Sequence, residues 1–357
     1  MQIDKILKSM VDKGASDLHL VVPSQPVLRI DGALITQEDL PPLTTKDIES
    51  VFGQIADDKQ RAYFVMRHEL DFAYSIPGLA RFGVNALQQR GTMSLAFRIV
   101  PSNIPSIDKL GLPPICKELV LKPSGLVLVT GASGSGKSTT LAAMINHLNQ
   151  TERRNVITVE DPIEFLFTNH KCIIRQRELG DDTESFSSAL VHALRHDPDV
   201  IVIGEMRDLS TISTAISAAE TGHLVLCTLH TIDAAQSIDR IIDVFPYGQQ
   251  RQIRLQLSQV LEAVLSQRLL SRIGGGRVAA FEILLSTSVV MRLIREEQPT
   301  EITEHMERCT IEGMQTMDQA LAGLVRRGIV TAEEALRKSS NPAKLSTWLL
   351  PKESLCY

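Results

Sequence analysis

The sequence predicts an α/β protein in which a small α+β domain precedes a larger domain built on a parallel sheet. Three observations lead there. The runs GLVLVTG (125–131), NVITVED (155–161), DVIVIGE (199–205) and HLVLCTLH (223–230) are short and almost wholly apolar, and helical segments separate them. That is how strands buried on both faces of a parallel sheet read. In the first hundred residues, alternating runs meet at Asp31-Gly32 and Arg90-Gly91, which are hairpin signals. Between the two patterns lies PSNIPSIDKLGLPP (101–114), with four prolines and little periodicity.

The elements follow in order. MQIDKILKSMVDKG reads as an amphipathic helix with Ile3, Ile6, Leu7, Met10 and Val11 on one stripe. DLHLVV and VLRI flank the turn-rich PSQP, and helical periodicity covers 45–67. RFGVNALQQ and TMSLAFRIV form the second hairpin. Residues 1–100 are thus the expected first domain, 101–114 a linker and 115–285 the sheet-bearing core. Residues 286–357 read as mostly helical, over 286–297, 301–313, 316–327 and 331–338, with a short irregular tail from Asn341.

Composition narrows the class. A chain of 357 residues, 43% apolar, suits two or three domains with a substantial interior. The net charge of −5 argues against a dedicated nucleic-acid binder, which shows a basic excess or stripe. Five scattered cysteines without a CxxC pair fit a reducing cytoplasm rather than a disulfide framework or a zinc site. No apolar run approaches the ~20 residues needed to cross a bilayer. The charged N-terminus lacks a signal peptide's apolar stretch. Membrane association is therefore expected through partners, without direct insertion.

The segment GASGSGKS (131–138) matches the phosphate-loop pattern GxxxxGK[ST], with a strand before it and the helix KSTTLAAMINHL after it. Glycines let backbone N–H groups wrap phosphates, and the helix N-terminus adds positive potential. Gly131, Ser133, Gly134, Ser135, Gly136, Lys137, Ser138 and Thr139 are the expected nucleotide contacts, with Lys137 on the β- and γ-phosphates of ATP and the Ser138 hydroxyl on Mg2+. Two acidic sites follow at strand ends, where ligands bind in open α/β sheets. Glu205 ends one strand; Glu160, Asp161 and Glu164 follow another, which Pro162 terminates. Phosphoryl transfer needs a metal partner and a group that orients the attacking water, and Glu205, Glu160 and Glu164 are candidates. Solvated loop acids are the plain alternative for Asp161 and Glu164. His223 and His230 bracket one strand; an extended strand of that length spans roughly 23 Å, so they do not share a metal. His230, beside Thr228 and Thr231, is read as a γ-phosphate sensor. His223 is carried as a nucleotide contact, with a satisfied structural histidine as its alternative.

Taken together, GASGSGKSTTLAA, TVEDPIEF, GEMRD and AAETGHLVLCTLHT resemble the Walker A, Asp box, Walker B and His box of the secretion ATPases. KGASDLHL, RVAAFEIL and GMQTMDQAL are similar to the PilT-type branch, the type IV pilus retraction and twitching-motility ATPases. The resemblance covers nearly all of residues 1–340. It implies a PAS-like N-terminal domain, a RecA-like motor domain, a homohexameric ring, and ATP with Mg2+. It also implies that Arg81 and Arg98, at matching positions, complete a nucleotide site, with Glu205 activating water and Glu160 supporting the metal. The partners implied are an inner-membrane pilus platform protein and other pilus ATPases, with the chain at the cytoplasmic face of that membrane. The long N-terminal extension and four-cysteine zinc motif of the assembly branch are not in these residues.

Three positions depart from the branch pattern. Ala132-Ser133 replaces Pro-Thr in the loop, Gly83 replaces an arginine, and Val289-Val290-Met291 replaces an Ala-Ile-Arg signature. The last makes a PilU-type accessory retraction ATPase the nearest alternative. A RecA-like nucleic-acid translocase and a small-molecule phosphotransferase are more distant ones.

Overall fold

The structure, a computed structural model, describes residues 2–309 and 313–349. By internal packing the chain divides into Met1–Asn103 with Pro162–Leu166, and Ile104–Asp161 with Phe167–Tyr357.

The first unit is an antiparallel sheet of six strands in the order β3-β2-β1-β6-β5-β4. These are β1 (Asp17–Leu20), β2 (Val27–Ile30), β3 (Ala33–Thr36), β4 (Glu69–Ile76), β5 (Ala80–Gln89) and β6 (Thr92–Val100). Both expected hairpins form, with Ile30 opposite Ala33 and Gln89 opposite Thr92. Asp31 and Arg90 take the positive φ of 47° that the tight turns require. The helical stretch at 45–67 is two helices, Thr45–Ile55 and Asp58–Arg67, each opened by a capping box (Thr44 with Asp47, Asp57 with Gln60). Phe82, Val84, Leu95 and Phe97 fill the core from one sheet face, against Ile3, Leu7 and Met10 of the helix Ile3–Asp12.

The second unit holds a seven-stranded sheet, ordered β13-β12-β7-β11-β10-β8-β9. Its strands are β7 (Gly125–Thr130), β8 (Asn155–Glu160), β9 (Ile173–Glu178), β10 (Val200–Ile203), β11 (Leu224–Leu229), β12 (Leu261–Ser271) and β13 (Arg277–Leu285). All pair in parallel except β13, which runs antiparallel to β12. The four apolar runs of the sequence are the central strands, and every residue of β7, β10 and β11 is buried. Two hydrophobic clusters cover the two faces. The α/β class is the one expected.

Residues read as linker also belong to this unit in part. Ser106 caps the short helix Ile107–Leu110, and Ile107 and Leu112 are buried in the core. The helices beyond the sheet are Ser288–Arg295, Pro299–Arg308, Met317–Arg326 and Ala332–Lys338. The expected helix to 313 reaches into residues 310–312, which lie outside the described residues, as do 350–357. The tail was expected to be irregular, but Pro342–Leu349 is helical. Asn341 Oδ1 accepts the Lys344 N–H at 3.1 Å, Leu345 is buried, and the Lys344 ammonium lies 5.4 Å from the centre of the Trp348 ring.

Candidate active site

The loop Gly131–Ser138 fills the turn between β7 and the helix Lys137–Thr151. Gly131, Gly134 and Gly136 take φ of 141°, 75° and 93°, a region L-side chains rarely adopt. Two of these glycines are also required by what lies behind the loop. A Cβ on Gly131 would run into the Gln267 carbonyl oxygen, and one on Gly136 would stand 2.8 Å from Gln267 Nε2. Gln267 is buried on β12, where Ser266 pairs with Thr130 at the end of β7. Thr140 donates to Gln267 Oε1 at 2.7 Å, and Thr130 to Ser266 Oγ at 2.9 Å. Sequence reasoning missed this support. Its signal was the polar pair Ser266-Gln267 inside an apolar run.

Lys137 is buried, and its ammonium curls back to donate to the carbonyls of Gly131 at 2.8 Å and Ala132 at 3.2 Å. The loop thereby gathers a cation, glycine backbone and a helix N-terminus in one concavity, the arrangement that binds phosphate. Ser138 and Thr139, half-buried, lie in the first turn of that helix.

The neighbouring parallel strands deliver their C-terminal ends to the same edge of the sheet. β8 and β10 finish side by side, with Val159 opposite Ile203. Gly204 makes the close approach possible: a Cβ there would be 3.2 Å from the Glu160 Cα. Glu160 Oε1 accepts from Thr158 at 2.6 Å and from Gln176 of β9 at 3.1 Å, so its carboxylate is oriented. Thr228 of β11 donates to the Gly204 carbonyl.

Glu205 is half-buried and meets Arg207 at 2.7 Å and His230 Nε2 at 3.3 Å. Burial pushes its carboxyl up. The Arg207 hydrogen bond and the charges of His230 and Arg207 outweigh that, and hold it below the ordinary range. His230 Nδ1 in turn lies 3.4 Å from Ser133 Oγ. One imidazole therefore spans from the phosphate loop to the acidic strand end.

The family of Type II/IV secretion system proteins matches residues 1–275. This chain belongs to that family. It is 46% identical over 342 residues to the type IV pilus retraction ATPase PilT of Pseudomonas aeruginosa, covering 96% of this chain and 99% of that one. It is 45% identical to a twitching motility protein of Neisseria gonorrhoeae, over 90% of this chain and 86% of the relative. A crystal structure of the pilus retraction motor PilT with bound ADP superposes with a TM-score of 0.91 at 45% identity, covering 97% and 99% of the two chains. This secretion ATPase is thus a PilT-like, ATP-hydrolysing P-loop enzyme.

Of the remaining site candidates of this secretion ATPase, one, His223, shares a unit with the loop, and the others belong to the first unit. His223 directly precedes β11, and its carbonyl accepts from Gly125 N at the start of β7. That is the opposite edge of the sheet from the phosphate loop, so within the chain His223 does not join the nucleotide site. Its Nδ1 is engaged locally, 3.0 Å from the Ala218 carbonyl and 3.2 Å from Thr221 Oγ1. Those contacts are the ones that its structural alternative calls for. Glu164, exposed, falls in Pro162–Leu166, the segment that packs with the first unit.

Arg81 and Arg98 also belong to the first unit, on the sheet face opposite its core. There Gly83 pairs with Arg98, and Arg81 with Val100. Arg98 Nε donates to Asp17 Oδ1 at 2.8 Å, while the Arg98 side chain stays 79% exposed. Burial raises the Asp17 carboxyl, but its bonds to Ser16 and Arg98 and the nearby positive charges leave it lowered. A side chain at Gly83 would enter open space. The missing arginine therefore costs the fold nothing and only thins the basic surface.

Among the described residues no three His, Cys, Asp or Glu side chains gather into a metal cluster. Mg2+ does not need one, because it binds through one or two protein oxygens plus phosphate and water. A hydroxyl at Ser138 with carboxylates at Glu160 and Glu205 is a hard-oxygen donor set of that kind. No helix among the described residues is long and apolar enough to cross a membrane.

Proposed function

We propose that this protein is a hexameric motor that hydrolyses ATP to drive retraction of a type IV pilus, acting on a platform protein at the inner face of the cytoplasmic membrane. The observation that carries the hydrolytic part is the placement of His230 between Ser133 of the phosphate loop and Glu205. The pilus part is supported by the identity to retraction ATPases across nearly the whole chain.

In this reading the loop amides and Lys137 hold the β- and γ-phosphates, leaving the Gly131 and Ala132 carbonyls that now occupy the ammonium. Glu205, kept ionised by Arg207, polarises a water and takes its proton as the oxygen attacks the γ-phosphorus. The bond to the bridging oxygen breaks, and ADP and phosphate leave. His230 contacts the γ-phosphate and reports its loss to Glu205 and Ser133. Ser138, with Glu160 in support, would hold Mg2+, which would supply neutralising charge for the transferring group. Arg81 and Arg98 act in trans on a neighbour's ATP, an arrangement that makes turnover depend on the ring.

Lys137→Ala tests the assignment. The purified variant should fold and lose ATPase activity, and a deletion strain carrying it should show no pilus retraction. Normal turnover would refute the site.

A further inference from the structure

Glu282 lies in the middle of β13, in register with Ser266 on β12, and is only 6% exposed. Its two oxygens serve two different helices. Oε1 accepts the Ala234 N–H at 2.7 Å, and Oε2 accepts the Met317 N–H at 3.3 Å. Ala234 and Met317 are the first residues of the helices Ala234–Asp243 and Met317–Arg326. One buried anion thus meets two helix N-termini, where N–H groups lack intrahelical partners and the helix dipole is positive. Only a carboxylate accepts on both oxygens. An amide or a protonated acid would turn a donor toward one of the two N–H groups.

His230 stands just ahead of the first of these helices, separated from Ala234 by Thr231, Ile232 and Asp233. That connection is bonded into the helix's opening turn. Thr231 Oγ1 lies 2.6 Å from Ser237 Oγ, Ile232 N donates to Gln236 Oε1 at 3.0 Å, and Gln236 N donates to Asp233 Oδ1 at 2.7 Å. A shift of the helix start is therefore passed to His230.

We infer that Glu282 is a positioning residue for hydrolysis: ionised, it fixes the start of the helix Ala234–Asp243 against β13 and so holds His230 between Ser133 and Glu205. The inference rests on the ATPase reading and adds to it a residue that never touches nucleotide. Its charge state is within physiological reach. Burial pushes the carboxyl up, the Ala234 bond opposes this, Asp233 adds to it, and the Met317 bond and Arg268 oppose it, leaving it at about 7. The charged groups facing it are Asp233 from the helix side and Arg268 from β12. Ser266, opposite it, is neutral and accepts a hydrogen bond from Thr130.

The test is steady-state ATPase activity of the full chain between about pH 6 and pH 9 for wild type, Glu282→Gln and Ala234→Pro. Ala234→Pro removes the N–H and sets the ring Cδ in its place, against Glu282 Oε1 at a fully buried position. Proline is favoured at a first helical position, and Asp233, at φ −149° and ψ 171°, already has the extended backbone that must precede it. Both variants should lose roughly ten- to a hundredfold in kcat, as expected for a misplaced group, with KM for ATP little changed. Wild-type kcat should rise through a midpoint of about 7, and Glu282→Gln should lack that rise. Wild-type kcat in Ala234→Pro, an unchanged rise in Glu282→Gln, or an effect on KM alone would overturn the inference. Lys137→Ala assayed alongside keeps the two readings separate. Activity there sinks the site assignment, whereas inactivity there with normal Ala234→Pro sinks only the role of Glu282.

Discussion

His230 and Glu205 meet at 3.3 Å through Nε2, while the other nitrogen of the same ring lies 3.4 Å from Ser133. One imidazole thereby joins the phosphate loop to the carboxylate proposed to activate water. In the proposed mechanism, loss of phosphate would change what the ring touches on one side and what Glu205 feels on the other.

Glu205→Gln should bind ATP and hydrolyse it roughly 10²–10⁴-fold more slowly, the range for losing a general base. Glu160→Gln should slow turnover while weakening metal dependence. If Glu160→Gln traps ATP and Glu205→Gln stays active, the two roles are exchanged. Glu205 also links stability to acid. Its folded pKa lies below the unfolded value, so its contribution is complete above the ordinary value of 4.5 and is lost as pH falls through the lower folded one. Thermal unfolding of Glu205→Gln should accordingly fall less steeply than wild type below about 4.5.

Gly131→Ala should abolish nucleotide binding while sparing the fold elsewhere. The added carbon meets the Gln267 backbone oxygen, which the β12 ladder prevents from yielding, and the φ of 141° is unsuited to alanine. Ala132→Pro, outside that contact, serves as the comparison; fluorescent-nucleotide titration should separate the two.

Rings mixed from Arg98→Ala and Lys137→Ala subunits should regain activity at interfaces that pair an intact arginine with an intact loop. An arginine acting in trans is worth roughly 10³–10⁵ in rate, so both parents should be nearly inactive. Demonstrably mixed rings that stay inactive would place the arginine in cis. Asp17→Ala, which frees Arg98 from its 2.8 Å bond, should alter the rate without removing the guanidinium.

Met291→Arg should raise retraction frequency or force in cells with little change in ATPase rate. The helix Ser288–Arg295 buries Val290, Leu293 and Ile294, and Met291 is only half-buried, so an arginine can be accommodated at its surface. Arg292 and Arg295 on the same helix are exposed. Unchanged retraction in that variant would show that position 291 does not limit coupling to the pilus.

The phosphate loop and the ends of β8, β10 and β11 were legible because each couples a residue pattern to a strand of short, continuous apolar character. The support behind the loop was not. Gln267 and Glu282 sit on β12 and β13, and a polar residue buried inside an apolar run carries no local mark of what it bonds across the sheet. The pairing of Ser266 with Thr130 joins positions more than a hundred residues apart. His223 was singled out because its neighbours in sequence belong to a motif, whereas within the chain it directly precedes β11, at the edge of the sheet away from the phosphate loop. The helix Pro342–Leu349 could have been found: Asn341 followed by proline is a cap and a first helical position.

Gly204 works as a spacer of zero thickness. The interval between the two carboxylate-bearing strand ends is set by a residue that has no side chain. A Cβ there would stand 3.2 Å from the Glu160 Cα, so the tip of β8 would have to give by a few tenths of an ångström, shifting Glu160 relative to Glu205 without altering either. The chemistry of this motor is thus written in acids and a histidine, but its gauge is written in a hydrogen atom.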